Sequence, residues 1–286
     1  MTEVINGALA TWNNTSAPDG YCTLRLTVTN ACEIETTWTT DIWLDRAFNS
    51  LDLRSPAGGA IVGGIVCADG TAWDHCGGKF EVEHRPAVGG TYEMFDSLTA
   101  PWVLNDPLGS WNTHLVPDGN YIVRLTGTDD CGNTATDQAT VVVDNTAPIA
   151  IITSPTPCSY VSGLVSVYGT ANDAHLSSWS LSWTGGDAHS WVTIAAGNTA
   201  VKDDLLGVWD TRWLRPCAYA LRLVVTDQAV IDCNGALHNQ AEYTVSVNVG
   251  GDASRMDTDG DGDVDLVDFK VFQNCFNGPN RPPKCL

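Results

Sequence analysis

The stretch Trp111-Asn-Thr-His-Leu-Val-Pro-Asp-Gly-Asn-Tyr-Ile-Val-Arg-Leu-Thr-Gly-Thr-Asp-Asp-Cys131 occurs in three versions along the chain. The first version runs from Trp12 to Cys32, and the third begins at Trp209. The first two tryptophans lie 99 residues apart, and the third follows after a further 98 residues. A fixed period of this size indicates one domain type that is used repeatedly.

Each version has the local pattern of a β-hairpin. Pro117-Asp-Gly119 predicts a turn, because Pro fixes φ, Asp bonds the local backbone and Gly adopts a positive φ. After it, Tyr121, Val123 and Leu125 alternate with residues of the opposite face, as in a strand. A second run, residues 139–144, follows a polar turn, so the sequence predicts a paired second strand.

Two side chains recur in phase with the strands. The repeated tryptophan could be a sugar-binding platform, but its place just before a strand favours a core residue. The repeated arginine could mark a site, but the solvent face of a strand is the preferred interpretation. These arginines are Arg25, Arg124 and Arg222.

The pattern resembles the last strands of fibronectin type III and bacterial immunoglobulin-like domains. In those families, Leu-x-Pro-x-Gly/Thr-x-Tyr-x-Val-x-Val places a tyrosine at the corner before the penultimate strand. The matching residues are Leu115, Pro117, Gly119, Tyr121 and Val123; Tyr219 aligns in the third copy, and Cys22 replaces the tyrosine in the first. The resemblance covers roughly residues 1–250 and implies an all-β chain of tandem immunoglobulin-like sandwiches, a fold that serves many functions.

The repeat divides the chain into four parts. Residues 1–48 form the closing half of one repeat, 49–147 and 148–250 form two full repeats, and 251–286 form a C-terminal module. A half sandwich exposes an apolar face and unpaired strand edges. We therefore expect another chain, or a cleaved upstream fragment, to complete residues 1–48; the alternative is that they pack on the neighbouring repeat.

Composition narrows the functional classes. A net charge of −20 disfavours nucleic acids as partners, and no apolar run reaches the ~18 residues of a membrane span. Ten cysteines without a Cys-x-x-Cys pair favour disulfides, and therefore a secreted or cell-surface location. The first residues lack the features of a signal peptide, which suggests a mature start elsewhere or a longer precursor.

The cysteine positions suggest several disulfides. Cys158 and Cys217 begin the second and sixth strands of one repeat, so a bridge between them is the favoured pair. Cys67 and Cys76 flank a short turn and form a weaker candidate pair, with Cys67–Cys131 as the competitor.

The C-terminal module contains the clearest ligand-binding motif. Its acidic residues have the spacing of a calcium loop, in which alternate carboxylates converge on one point and Gly262 permits the sharp turn. Oxygen ligands on a flexible loop favour Ca²⁺. The predicted ligands are Asp257, Asp259, Asp261, Asp263, Asp265 and Asp268.

A short amphipathic helix is predicted from Leu266 to about Phe276. Loop and helix together resemble a dockerin repeat, in which such a helix binds a cohesin domain; dockerins normally carry two repeats, and this chain has one. The resemblance implies a partner surface made of Leu266, Val267, Phe269, Phe272 and Phe276. Cys275 and Cys285 could staple the tail to this helix.

The residues favour a non-catalytic role, because the six histidines are dispersed and no nucleophile elbow or phosphate loop occurs. The leading hypothesis is an extracellular structural protein that self-associates or docks through its incomplete N-terminal sandwich and its calcium module. The alternative is the accessory region of a secreted carbohydrate-active enzyme that docks to a cohesin-like partner. Glycan binding through surface tryptophans is a third interpretation.

Overall fold

A computed structural model describes residues 7–98, 102–250 and 266–270. Strands make up most of this part of the chain, with a single 3-10 turn at Thr113–Leu115 and an α-helix over residues 266–270. Within these ranges, no helix has the length and hydrophobicity needed to cross a membrane. The predicted all-β class with sandwich units is confirmed.

The N-terminal part is a two-stranded antiparallel hairpin. Its strands are β1 (Gly20–Thr29) and β2 (Glu35–Leu44), paired from Gly20↔Leu44 to Thr29↔Glu35. In the described ranges, these two strands form a sheet by themselves. The prediction of a hairpin without its opposing sheet therefore matches the structure of residues 20–44.

The first complete sandwich contains eight strands. They are β3 (Ser50–Ser55), β4 (Ile61–Val62), β5 (Ile65–Trp73), β6 (Gly78–Pro86), β7 (Glu93–Leu98), β8 (Trp102–Asn112), β9 (Gly119–Asp129) and β10 (Thr134–Val143). One sheet has the order β3-β5-β8, and the facing strands have the order β4-β10-β9-β6-β7. Their inward side chains form a single core, which includes Phe80, Trp111, Tyr121 and Val123.

The second sandwich repeats this topology. Its strands are β11 (Ile149–Ser154), β12 (Tyr160–Val161), β13 (Leu164–Asn172), β14 (Leu176–Gly185), β15 (Ala188–Gly197), β16 (Val201–Asp210), β17 (Cys217–Val230) and β18 (His238–Val249). The sheet order is β11-β13-β16 on one side and β12-β18-β17-β14-β15 on the other. Trp179, Trp209 and Tyr219 belong to its separate core.

The recurring tryptophan and tyrosine are core residues in both sandwiches. Trp111 and Trp209 are each 2% exposed, which confirms the core interpretation over a sugar-binding platform at these positions. The Tyr121 hydroxyl donates to Pro117 O at 3.0 Å, and the Tyr219 hydroxyl donates to Arg215 O at 3.1 Å. These bonds satisfy the phenol where each chain turns into its penultimate strand, as in the tyrosine corner of immunoglobulin-like folds.

The recurring arginines lie on the outer faces of the same strands. Arg124 donates to Glu83 at 2.8 Å, and its guanidinium lies 3.4 Å from the ring centroid of Tyr92. Arg222 lies over Trp191 at 4.0 Å. The predicted strand-face role is therefore confirmed at these two positions, where the charge is satisfied by ion pairing and by aromatic contact.

Two disulfides correct the predicted pairing. Cys67 is bonded to Cys233, with 5.1 Å between the Cα atoms, and Cys76 is bonded to Cys131, with 6.3 Å between them. The predicted pair Cys67–Cys76 and its competitor Cys67–Cys131 are both wrong. Cys67 lies near the start of β5, whereas Cys76 follows the end of that extended strand, so the two cysteines belong to opposite ends of the sandwich.

The predicted Cys158–Cys217 bridge is also wrong. Cys158 donates its backbone N–H to Ser246 on one side of β18, whereas Cys217 pairs with Val249 on the other side. Two strand spacings amount to roughly 9.6 Å, which exceeds the ~7 Å that a disulfide allows between Cα atoms. Both cysteines are disulfide-bonded.

The two sandwiches are joined by more than the connecting chain. The Cys67–Cys233 disulfide links β5 of the first sandwich to the β17–β18 loop of the second. Gly63 donates its backbone N–H to Val230 O at 2.9 Å, and the Asn239 amide donates to Thr146 O at 2.7 Å. These contacts gather at one end of each sandwich.

Candidate functional sites

The N-terminal hairpin presents one apolar face. Alternation in β1 and the cross-strand pairs put Leu24, Leu26 and Val28 on the same side as Trp38 and Ile42 of β2. Leu24 and Leu26 are each 40% exposed, and Trp38 is 60% exposed. The opposite face carries mostly threonines and charged residues. The hairpin is therefore amphipathic, with its apolar side in solvent.

The same positions are buried in the first sandwich. By the 99-residue period, Leu24 and Leu26 correspond to Val123 and Leu125, and Ile42 corresponds to Val141. These three residues are fully buried in the core beneath the β3-β5-β8 sheet. The apolar face of β1–β2 is therefore a core surface for which the described chain provides no opposing sheet.

The base of the hairpin is anchored on the first sandwich. Trp43 stacks on His75 with 3.8 Å between ring centroids, and Leu44 is buried. Arg46 donates to Asp19 at 2.9 Å and holds the chain that enters β1 against the chain that leaves β2. Packing on the neighbouring repeat, the alternative prediction, therefore holds at this base and does not extend to the apolar face.

The predicted calcium module is described only in part. Asp257, Asp259, Asp261, Asp263 and Asp265 lie outside the described residues, as do Phe272, Phe276, Cys275 and Cys285. Within the helix over residues 266–270, Leu266 is 81% exposed, and Val267 and Phe269 are also exposed. Asp268, the predicted final ligand, is buried.

A carboxylate cluster lies where the hairpin joins the first sandwich. Asp45 follows β2, Asp74 follows β5, and Asp129 ends β9; one oxygen of each lies within 4.8 Å of the others. Two unit charges at that distance repel by about 3.5 kcal/mol at an effective dielectric constant of about 20. Burial, followed by the charges of Asp74 and Asp129, raises the pKa of Asp45.

Hydrogen bonds satisfy only part of this first cluster. Asp74 accepts from the backbone N–H groups of Asn49 and Cys76, each at 2.9 Å. Asp129 accepts from the backbone and side-chain nitrogens of Asn133, each at 2.7 Å. Asp45 Oδ2 is buried and has no hydrogen-bond partner among the described residues.

A second cluster lies where the two sandwiches join. Asp144 follows β10, Asp173 follows β13, and His175 Nδ1 lies 2.6 Å from Asp144 Oδ2. One ligand atom of each residue lies within 4.8 Å of the others. Asp227 of β17 is 0% exposed; its Oδ1 accepts from Ala229 N at 2.8 Å, and its Oδ2 has no partner in the described part of the chain.

The electrostatics connect Asp227 to this second cluster. Burial, together with the charges of Asp144 and Asp173, raises the pKa of Asp227 to about 6 against the opposing effects of the Ala229 N–H and the Asn239 side chain. The charges of Asp144 and Asp173 therefore act on Asp227, whose Oδ2 is shielded from water. Oxygen atoms in such a group are suitable ligands for a divalent cation.

Sequence reasoning missed both clusters, although the repeat contains a signal for them. Asp45 and Asp144 are 99 residues apart, as are Asp74 and Asp173. Asp129 and Asp227 are 98 residues apart, the same spacing as the last two repeated tryptophans. Acidic residues that recur in phase at strand ends could have been found by aligning the repeats, but their convergence depends on the tertiary fold.

Comparison with known proteins gives similarities of architecture. No family model matches the chain, and no curated protein matches it. Fibronectin(III)-like modules of CbhA from Clostridium thermocellum are similar over 69% of this chain and 92% of theirs, at 15% identity and a TM-score of 0.37. The FN1–FN3 domains of chicken CNTN1 are similar over 80% of this chain and 78% of theirs, at 10% identity and a TM-score of 0.37.

Proposed function

We propose that the protein is a non-catalytic extracellular assembly component whose N-terminal hairpin is completed by strands of another chain. The observation that carries the proposal is the exposed apolar face of β1–β2. At the equivalent positions of β9–β10 this face is fully buried beneath a three-stranded sheet. Every strand in the described part of the chain already belongs to a sheet, so a second polypeptide is the proposed occupant.

Two further features support an extracellular structural role. The disulfides Cys67–Cys233 and Cys76–Cys131 suit an oxidising compartment, and the first of them links consecutive sandwiches. The calcium loop at residues 257–268 is proposed as the second joint, on the basis of its ligand spacing. A chain with one incomplete sandwich and one calcium module is suited to head-to-tail assembly with further copies.

The test is the molar mass of the full chain over a range of concentrations, measured by light scattering with calcium and with chelator. We expect assemblies, and we expect Leu26→Asp to disperse them because it places a charge on the apolar face. Thr27→Asp, on the opposite face of the same strand, is the matched control and should leave them intact. A monomer at high concentration with calcium would contradict the proposal, as would assembly that is indifferent to Leu26→Asp.

A second candidate function is docking of the C-terminal helix to a cohesin-like partner. It is favoured by Leu266, whose side chain is 81% exposed on the helix that follows the proposed calcium loop. Calcium-dependent binding of an immobilised cohesin domain, weakened by Leu266→Asp, would support this function. Binding that persists after that substitution would argue against this helix as the docking surface.

A further inference from the structure

The two carboxylate clusters are one arrangement that occurs at successive junctions. In each, one aspartate follows the last strand of one unit, β2 or β10. The other two aspartates belong to the next unit. One of them follows β5 or β13, and the other lies near the end of β9 or β17. The pairs Asp45/Asp144, Asp74/Asp173 and Asp129/Asp227 have the spacing of the repeat itself. The arrangement therefore belongs to the repeating unit.

The described structure supplies little positive charge to these acids. Arg46, adjacent to Asp45 in sequence, instead pairs with Asp19. His175–Asp144 is the one ion pair of the described residues that includes a member of either cluster. Charges that are buried without a partner are unfavourable, so these groups require a proton or a cation.

The free oxygen atoms point to a cation. Asp227 is fully buried, and its Oδ2 lacks a hydrogen-bond partner in the described ranges, although Oδ1 is satisfied by Ala229. At the first junction Asp45 is only half-buried, but its Oδ2 is buried and has no hydrogen-bond partner among the described residues. Carboxylate oxygens have two lone pairs each, so the N–H bonds to Asp74 and Asp129 leave further acceptor capacity in the first cluster.

We propose that each junction binds a divalent cation, and that this cation is Ca²⁺. The first site consists of Asp45, Asp74 and Asp129, and the second of Asp144, Asp173 and Asp227. Carboxylate oxygens in an irregular arrangement suit Ca²⁺, whereas Mg²⁺ requires near-ideal octahedral geometry. The second site also has His175 beside it, whose contact with Asp144 competes for one ligand oxygen, so we expect the second site to bind more weakly.

The proposed ions would connect consecutive units. Asp45 extends from the hairpin, whereas Asp74 and Asp129 belong to the first sandwich. Asp144 extends from the first sandwich, whereas Asp173 and Asp227 belong to the second. A cation held by both sides would stiffen each junction, and calcium would then control the rigidity of the chain of domains. This inference does not depend on the proposed assembly function.

The test is calcium stoichiometry by equilibrium dialysis on the full chain with its C-terminal loop disabled by Asp257→Ala and Asp261→Ala. We expect this parent chain to bind two ions, with dissociation constants on the order of 0.1–1 mM, as in other extracellular modules. Asp129→Asn should remove one ion, and Asp227→Asn should remove the other. Asp130→Asn, an exposed neighbour of Asp129, is the matched control and should retain both.

Thermal unfolding with calcium provides a second measurement. Calcium should raise the unfolding midpoint of the parent chain, and each asparagine variant should lose part of that rise. The amide keeps the shape of the carboxylate and removes a buried charge, so we expect folded variants with unchanged circular dichroism. A parent chain that binds no calcium at about 10 mM, or variants that keep both ions, would overturn the inference. Neither result would affect the assembly test on the hairpin face.

Discussion

The hairpins β1–β2 and β9–β10 have the same sequence pattern and the same antiparallel pairing, and each begins at a Pro-Asp-Gly turn. They differ in what faces them. Val123 and Leu125 are fully buried beneath the β3-β5-β8 sheet, whereas the equivalent Leu24 and Leu26 are each 40% exposed. Strand pairing is thus a local property of the repeat, and burial of its apolar face depends on a second sheet from elsewhere.

Two polar positions differ in the same way. Cys131 is bonded to Cys76 in the loop between β5 and β6, whereas its equivalent Cys32 is a free, exposed thiol in the described structure. Asp129 contributes to a buried carboxylate cluster, whereas its equivalent Asn30 caps the exposed turn by accepting from the backbone N–H groups of Cys32 and Ile34. In the hairpin, which has no opposing sheet among the described residues, the first of these positions has no disulfide partner and the second is neutral.

The largest expected effect on stability distinguishes the disulfide-bonded Cys131 from its equivalent in the hairpin, Cys32. Replacing Cys76 and Cys131 together by alanine opens a 55-residue loop, and we expect this to lower the free energy of unfolding by about 4 kcal/mol. Cys32→Ala should change it by less than about 0.5 kcal/mol. Urea unfolding measures the free energy of unfolding of both variants. A large effect of Cys32→Ala would mean that this thiol has a partner in solution.

The next effect compares equivalent leucines. Leu125→Ala leaves a cavity in a closed core and should lower the free energy of unfolding by about 3 kcal/mol. Leu26→Ala should cost less than about 1 kcal/mol in the dispersed chain, because the side chain is already partly in water. Urea titrations of the two variants below the assembly concentration test this difference. Equal costs would show that the hairpin face is covered even in the single chain.

The carboxylates of the complete units should introduce a pH dependence that the hairpin lacks. In calcium-free solution, the pKa of Asp227 is about 6 in the folded protein and 3.8 in the unfolded chain. The folded state is therefore penalised as pH rises through about 6, and it regains roughly 2–3 kcal/mol as pH falls toward 4. Asp227→Asn should remove this pH dependence of the free energy of unfolding, which urea titrations between pH 7.5 and 5 measure. An unaltered pH profile in that variant would contradict the assignment to Asp227. Asn30→Ala, at the neutral hairpin equivalent, is the control and should leave the profile intact.

The smallest expected effect concerns the corner tyrosine. Tyr121→Phe removes the hydroxyl that donates to Pro117 O, and we expect a loss of about 1 kcal/mol in the free energy of unfolding. Cys22 occupies the equivalent place in the hairpin, which has no opposing sheet in the described ranges, so Cys22→Tyr should leave stability unchanged. Thermal unfolding compares the variants, and a stabilising Cys22→Tyr would indicate that the corner forms in the hairpin as well.

Much of the fold was predictable because its cause is periodic and local. Alternation and the Pro-Asp-Gly turn predicted β9 and β10, and the position of Trp111 just before a strand predicted its burial. The disulfides were not predictable in the same way. Cys67 is bonded to Cys233 of the next sandwich, a pairing that no argument within one repeat could reach. The carboxylate clusters were missed because their members lie far apart in sequence and meet only where strand ends converge.

The sequence by itself determined the repeat, the strands, the outward arginines and the acidic spacing of residues 257–268, since each depends on neighbours along the chain. The tertiary structure decided which faces are buried, which cysteines meet and which aspartates gather. Those outcomes depend on where two sheets and two units come into contact. Leu26 and Leu125 have the same place in the same pattern, and only the presence of an opposing sheet makes one of them a core residue.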